Sequence, residues 1–360
     1  METQQLTSVG GLLQDGLTSS VAGFEDVGSQ VIDTNDLPTP DALRYRLFSF
    51  TTSGAASESF SFTKGGSTTV YFGDGTSSNS SPTISKTYDT SSVPSGTIFS
   101  VVTDEPFNFG MDTGTGSNSI KNLNGLEFYW DTVTRTSNSL KLQDLGIDRP
   151  MPNWTDRSGN SSYGTFNLKG NSIPGRFPSN ISATNLFIQN NRFTGNLPSL
   201  APIQKKYQIQ GNAFEGDIHD LSSNTYIEAY LAYGQDDGNS HLRATNPKIM
   251  LTGEIPNLSG ATSLTFYHVG AGSAWQRGFK NNLSLASDFD VTNILTRFYA
   301  SNCQLSTAEI DKILNAFANA GTTSPNIIDL SGSNGYPTST GLADRDTLVS
   351  AGWTVNLPAQ

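Results

Sequence analysis

Between residues 166 and 218 the chain repeats one arrangement of apolar and polar positions three times. Phe166-Asn167-Leu168, Leu186-Phe187-Ile188 and Tyr207-Gln208-Ile209 each set two apolar residues about one outward residue, and their first positions lie 20 and 21 residues apart. Such alternation predicts a very short strand with one face in a core. Five residues after the first apolar position stand Asn171, Asn191 and Asn212. There the chain must turn with its backbone groups buried. A carboxamide both donates and accepts, so a stack of these side chains satisfies the amides and carbonyls of adjacent coils. Gly175, Gly195 and Gly216, followed by Phe177, Leu197 and Ile218, supply a bend and a second core contact, and Pro178 and Pro198 close two of the coils. A regular step of this length predicts a solenoid.

The pattern continues in distorted form. Leu140-Lys141-Leu142 reads as a first coil without the Asn, and Ala229-Tyr230-Leu231 followed by Leu251 to Pro256 reads as one coil split by an insertion at 235–248. Leu264-Thr265-Phe266, Phe298-Tyr299-Ala300 and Ile328-Asp329-Leu330 open longer coils. Cys303 falls five residues after Phe298, at the position of the ladder Asn, and reads as a buried structural thiol. Longer coils have room for helices. Ser306 with Glu309 forms a capping box ahead of Ile310, Ile313, Leu314 and Phe317, with Gly321 as the stop. A shorter helix is expected near 342–349, ended by Gly352, before a last strand through Trp353, Val355 and Leu357 that closes the core.

These motifs carry a family resemblance. Residues 166–256, with their N-x-F-x-G-x-L/I-P pattern, resemble leucine-rich repeats of the plant-like type, and residues 298–357 resemble the looser repeats of bacterial and phage surface proteins. The resemblance implies an α/β solenoid used as a binding scaffold, and by itself it names no ligand. Upstream the grammar is all-β. Short alternating runs at Phe60, Phe62, 69–72, 86–88 and 96–102 are separated by Ser, Gly and Pro turns. Val70-Tyr71-Phe72-Gly73-Asp74-Gly75 with Lys86-Thr87-Tyr88 resembles the polycystic-kidney-disease-like (PKD-like) β-sandwich, although Phe72 stands where that family has Trp. The expected fold is therefore multidomain: an all-β sandwich (PKD/Ig-like) over 41–125, then an α/β leucine-rich-repeat solenoid over 126–360. Residues 1–40 have too thin an apolar scatter to build a core and read either as a docking arm or as a loose terminus.

Composition narrows the partners. The 360 residues are 35% hydrophobic and only 15% charged, with a net charge of −11. That balance argues against binding a phosphate backbone, so no nucleic-acid partner is expected. No long apolar span or basic amphipathic helix is present, which argues against membrane insertion. The start Met1-Glu2-Thr3-Gln4-Gln5 has neither the basic nor the apolar segment of a signal peptide, and a single Cys excludes cystine-stapled caps. A surface-type repeat made without an export route fits a phage virion protein, assembled in the host cytoplasm and exposed on the virion surface after lysis. The expected partners are then other virion proteins through residues 1–40, further copies of the chain as a homo-oligomer, and a host-surface glycan or protein receptor. A purely structural connector, a bacterial surface adhesin and a polysaccharide depolymerase are the alternatives.

Candidate binding residues lie between and after the apolar pairs: Lys141, Asn167, Lys169, Phe187, Gln189, Gln208, Gln210, Tyr230, Tyr267 and Tyr299. Rings beside amides suit a sugar face and its hydroxyls. The same rings equally suit packing against one another across coils. No catalytic set is recognisable, and neither a cofactor nor a metal is expected. His219, His241 and His268 are scattered, with His219 expected at the surface. Glu215 and Asp217 are a weak mimic of a glycosidase pair on a solvent-facing turn. Asp236-Asp237-Gly238-Asn239 offers oxygens to Ca²⁺ but lacks the EF-hand spacing, so it reads as a solvated loop.

Overall fold

The computed structural model describes Leu12–Leu13 and residues 44–360, apart from 54, 56, 66–67, 80–82, 92, 105–107, 110–122, 131–132, 134–137, 156–158, 160, 202–203, 236–247, 272–278 and 322–325. The chain divides into two compact units, Met1–Ile173 and Pro174–Gln360. The first carries an antiparallel, sandwich-like region. Arg44–Thr51 pairs with Ile98–Thr103, with Glu127–Phe128 and, at its start, with Leu12–Leu13. Val70–Tyr71 extends this sheet from Ile98–Thr103, while Ser57–Gly65 joins Thr83–Asp89 and Asn108–Phe109 in a second sheet. Pairing at Glu127–Phe128 carries the antiparallel sheet past residue 125.

Alternation builds the interior of this region. Phe48 and Phe50 point to the face that receives Phe60, Phe62 and Tyr88; the Phe48–Phe60 and Phe50–Tyr88 ring centroids lie 5.3 and 5.2 Å apart, in edge-to-face arrangement. The Gly73-Asp74-Gly75 segment is a turn. Gly73 has φ +75°, and a Cβ there would sit 2.7 Å from the Ser100 carbonyl oxygen, so the turn requires glycine for its conformation and for close approach. Asp74 accepts the Thr76 amide at 3.1 Å and pairs with Lys86, and the Tyr88 hydroxyl donates to the Phe72 carbonyl at 2.9 Å. The unit also contains a parallel pair, Ser139–Lys141 with Ser162–Asn167, which sets Leu140 beside Phe166.

The second unit is a parallel, repeat-like sheet with two helices. Ser182–Phe187, Lys206–Gln208, Ala229–Leu231, Phe266–His268, Arg297–Tyr299, Ile327–Asp329 and Thr354–Asn356 follow one another as neighbours. Their register puts Leu186, Tyr207, Tyr230, Tyr267, Phe298, Ile328 and Val355 in one inward column. Tyr207, Tyr230, Tyr267 and Phe298 stack in sequence at 5.1, 5.5 and 5.6 Å with their planes 4 to 15° apart. A second parallel sheet runs through Pro174–Arg176, Arg192–Asn196, Ala213–Asp217 and Leu251–Thr252.

The column corrects two sequence expectations. Tyr230 and Tyr267 were expected outward, between Ala229 and Leu231 and after Phe266, yet both are fully buried. Where neighbouring residues are all apolar, a strand of period two has no intrinsic phase, and a slip of one residue exchanges its faces. Pairing with Tyr207 fixes the phase at Tyr230-x-Ala232 and Tyr267-x-Val269, all four buried.

Buried amides hold the turns. Asn171 Oδ1 accepts the Leu145 and Ile147 amides at 3.0 and 3.1 Å, while its Nδ2 donates to the Leu142 and Leu168 carbonyls. Asn212 repeats the scheme: Oδ1 accepts from Phe193 at 3.2 Å, and Nδ2 donates to Ile188 and Ile209 at 2.9 and 2.8 Å. Asn191 Nδ2 donates to Ile188 at 3.0 Å. The series goes on through Gln235, Asn281, Cys303 and Asn334. Gln235 serves Phe214, Ile209 and Ala232, and Asn334 serves Cys303, Leu305, Ala300 and Leu330. The Cys303 thiol donates only to the Ser301 and Val269 carbonyls, at 3.5 and 3.7 Å, and burial pushes its pKa far up.

One residue before this ladder the backbone is left-handed. Gly170, Asn190, Gly211, Gly234 and Asn302 have φ between +57° and +72°. A Cβ on Gly211 would lie 2.6 Å from Asn190 Oδ1. Gly211→Ala is expected to cost about 1–3 kcal/mol through backbone strain and this collision. Thermal unfolding checks it, with Asn190→Gly in the same chain restoring part of the loss.

The helices lie where their signals put them. α1, Thr307–Asn319, starts at a capping box: the Ser306 hydroxyl accepts the Glu309 amide at 3.4 Å and the Glu309 carboxylate accepts the Ser306 amide at 2.7 Å. Its Ile310, Ile313, Leu314 and Phe317 are buried, and Phe317 meets Phe298 and Trp353 edge-on. α2, Ser339–Ser350, is tied to α1 at its start, because Asp311 accepts from the Thr338 amide and hydroxyl at 2.9 and 2.6 Å. Gly352 at φ +91° then turns the chain into Thr354–Asn356. Among the described residues no helix is long and apolar enough to cross a membrane.

Candidate functional site

Strand alternation leaves three outward columns on the parallel sheet of the second unit. The first, one residue before the buried column, holds Lys206, Ala229, Phe266, Arg297 and Ile327. The second, one residue after it, holds Phe187, Gln208, Leu231, His268, Tyr299 and Asp329. The third, two residues further, holds Gln189, Gln210, Tyr233, Gly270 and Ser301, of which Gln210 and Tyr233 are partly exposed and the other three buried.

Rings gather at one place on this face. Tyr233 and His268 stack at 3.7 Å with planes 11° apart, and His268 stacks on Tyr299 at 4.7 Å. Phe266 completes the group, 5.7 Å from Tyr299 and 6.3 Å from His268. All four rings remain partly exposed. Register explains the cluster: Phe266 and His268 belong to one strand, Tyr299 is the cross-strand partner of His268, and Tyr233 follows the strand before. Gly270 allows close packing on Ser301 of the next coil, since a Cβ there would be 2.7 Å from the Ser301 hydroxyl. Burial among the rings pushes His268 down to about 3, so it is a neutral ring at physiological pH. Burial likewise raises Tyr233, against a hydrogen bond with Gln210 that lowers it.

Amides flank the rings. Gln189 Nε2 donates to Gln208 Oε1 at 3.4 Å, and the Oε1 atoms of Gln189 and Gln210 are buried acceptors without a hydrogen-bond partner among the described residues. Of the residues expected to face a ligand, Phe187, Gln208, Gln210 and Tyr299 are partly exposed on this side, and Gln189 is buried at its margin. Tyr230 and Tyr267 lie in the core beneath, while Tyr233, Phe266 and His268 were missed. The signal for them was present. Counting back five from Gln235 gives Tyr230 as the buried position, and hence Tyr233 as outward.

The candidates for other chemistry scatter. His219 was expected at the surface but is mostly enclosed: its Nδ1 lies 3.0 Å from the Tyr230 hydroxyl and its ring meets Tyr207 edge-on. Burial drives it down to about 4, opposed by a backbone hydrogen bond at Pro198. Asp217 is exposed and accepts the Thr252 hydroxyl at 2.6 Å, next but one to a partly exposed Glu215. His241 and Asp236-Asp237-Gly238-Asn239 lie outside the described residues. Among the described residues no three His, Cys, Asp or Glu side chains are grouped to hold a metal ion. Comparison with protein-family models and with curated proteins gives no match to this chain.

Proposed function

We propose that this chain is a non-enzymatic adhesion protein of a virion, a PKD-like sandwich followed by a leucine-rich-repeat solenoid, and that its outward sheet face binds a host-surface glycan. The observation that carries the reading is the Tyr233, His268, Phe266 and Tyr299 cluster beside Gln208 and Gln210. Flat rings present apolar faces to the C–H side of a pyranose, and neighbouring carboxamides exchange hydrogen bonds with its hydroxyls. The stack is closed by Phe317 against Trp353 without cystines, and its one thiol is buried, so folding does not depend on an oxidising compartment. That suits a particle part assembled in cytoplasm. Residues 1–40 would dock on other virion proteins, and oligomerisation with further copies would multiply a weak sugar contact.

A glycan array with the purified chain tests the reading. Tyr299→Ala is expected to weaken the glycans bound by about tenfold, near 1.4 kcal/mol, with unfolding little changed because the ring is partly exposed. An array without binding overturns the glycan reading in favour of a connector whose contacts are all with virion proteins.

A further inference from the structure

We infer that the face selects acidic saccharides, with a sugar carboxylate held at Arg297 while the ring of that sugar lies against Tyr299; the inference rests on the glycan reading above. Arg297 is the cross-strand partner of Phe266, and its guanidinium carbon lies 5.4 Å from the Phe266 ring centroid. The residue is exposed. Among the described residues Lys86, Arg149 and Lys205 are paired with the carboxylates of Asp74, Glu127 and Glu228. Among the described residues no carboxylate lies within 4.0 Å of Arg297 or of Lys206, which stands in the same outward column. In a chain of net charge −11, an exposed cation at the edge of a ring platform, with no carboxylate partner among the described residues, marks the place where a negative group is favoured.

Geometry makes the preference specific. A guanidinium resting on a ring is held by cation–π attraction, so less freedom is lost when its planar fork meets a carboxylate. The acid that shares the face, Asp329, is the cross-strand partner of Tyr299 on the side away from His268. Its Oδ1 accepts the Ser331 amide and hydroxyl at 3.1 and 2.6 Å, which fixes the carboxylate there. It repels a like charge from that column. A sugar acid stacked on the rings is therefore directed toward Arg297.

Titration calorimetry with the full chain decides it, using oligogalacturonate as the acidic probe and the neutral galacto-oligosaccharide of the same length as its counterpart. The acidic probe is expected to bind at least about tenfold tighter and to weaken as salt is raised. Arg297→Gln should remove that advantage while leaving the neutral affinity within about twofold; Tyr299→Ala should weaken both. Equal binding of the two probes, or an acidic preference that survives Arg297→Gln, overturns the inference and leaves the glycan reading standing. Binding of neither probe overturns the inference, and only a blank array takes the glycan reading with it. Unchanged thermal unfolding of Arg297→Gln excludes misfolding as the cause.

Discussion

Replacing Asn212 with alanine is expected to destabilise the repeat unit by about 2–4 kcal/mol, since a buried amide stripped of its partner costs roughly 1–3 kcal/mol and each further hydrogen bond lost costs about 1 kcal/mol. The Phe193 amide loses its partner, and the Ile188 and Ile209 carbonyls each lose one of two donors, keeping those from Asn191 and Gln235. All three bonds lie in the interior, and Asn212 itself is 1% exposed, so water does not replace the carboxamide. Asn212→Gln should cost less, because Gln235 performs the same task one coil later with its longer side chain. The exposed Asn282→Ala serves as the control and should stay within about 0.5 kcal/mol of the parent. Denaturant unfolding measures all three. A loss below about 1 kcal/mol for Asn212→Ala would show that the ladder contributes little to stability.

The second large effect concerns the tyrosine column. Tyr230→Ala is expected to cost about 3–5 kcal/mol, the range for emptying the site of a buried aromatic ring. The ring is stacked at 5.1 Å on Tyr207 and 5.5 Å on Tyr267, so its neighbours are held by their own strands and collapse poorly into the space. Removing only hydroxyls should separate the two buried tyrosines. Tyr230 accepts the His219 amide at 3.3 Å and contacts its Nδ1 at 3.0 Å, so Tyr230→Phe is expected to destabilise by about 1 kcal/mol. The Tyr267 hydroxyl is buried and has no hydrogen-bond partner among the described residues, and the next coil carries Phe298 at the same place. Tyr267→Phe should therefore be neutral or stabilising by up to about 1 kcal/mol. Denaturation midpoints of the three variants give the answer; equal losses for both Phe variants would contradict these assignments.

Much of the repeat was legible because its signals are local. The step between Phe166, Leu186 and Tyr207, the Asn five residues on, and the Ser306/Glu309 box each depend on a few neighbouring residues, and each corresponds to a bond or a column in the structure. Phase was harder. At Tyr230 and Tyr267 the flanking Ala229, Leu231 and Phe266 are apolar as well, so alternation alone did not say which face each residue takes. Spacing failed next. Asn281 does for the Tyr267 coil what Asn212 does for its own, donating to the Val269 carbonyl, but residues 272–278 intervene and counting by five misses it. Asn334 comes six after Ile328, again off the count. The ring cluster inherited these errors, because knowing that Tyr233 and His268 face outward requires the phase of two strands and the pairing between them.

The direction of the bonds between coils has its own consequence. The Ile188, Ile209, Ala232, Val269, Ala300 and Leu330 amides all donate forward, to carbonyls of the strand that comes next in sequence. Asn212, Gln235 and Asn334 reach backward to satisfy the turn that came before them. Other amides, those of Glu228, Thr265, Thr296, Ile327 and Thr354, donate backward to the preceding strand, so each winding starts on its predecessor and is finished by its successor. During synthesis the newest winding carries unmet donors until about twenty or more further residues leave the ribosome, so the unit would mature from its amino end as a travelling front, one winding behind the growing point.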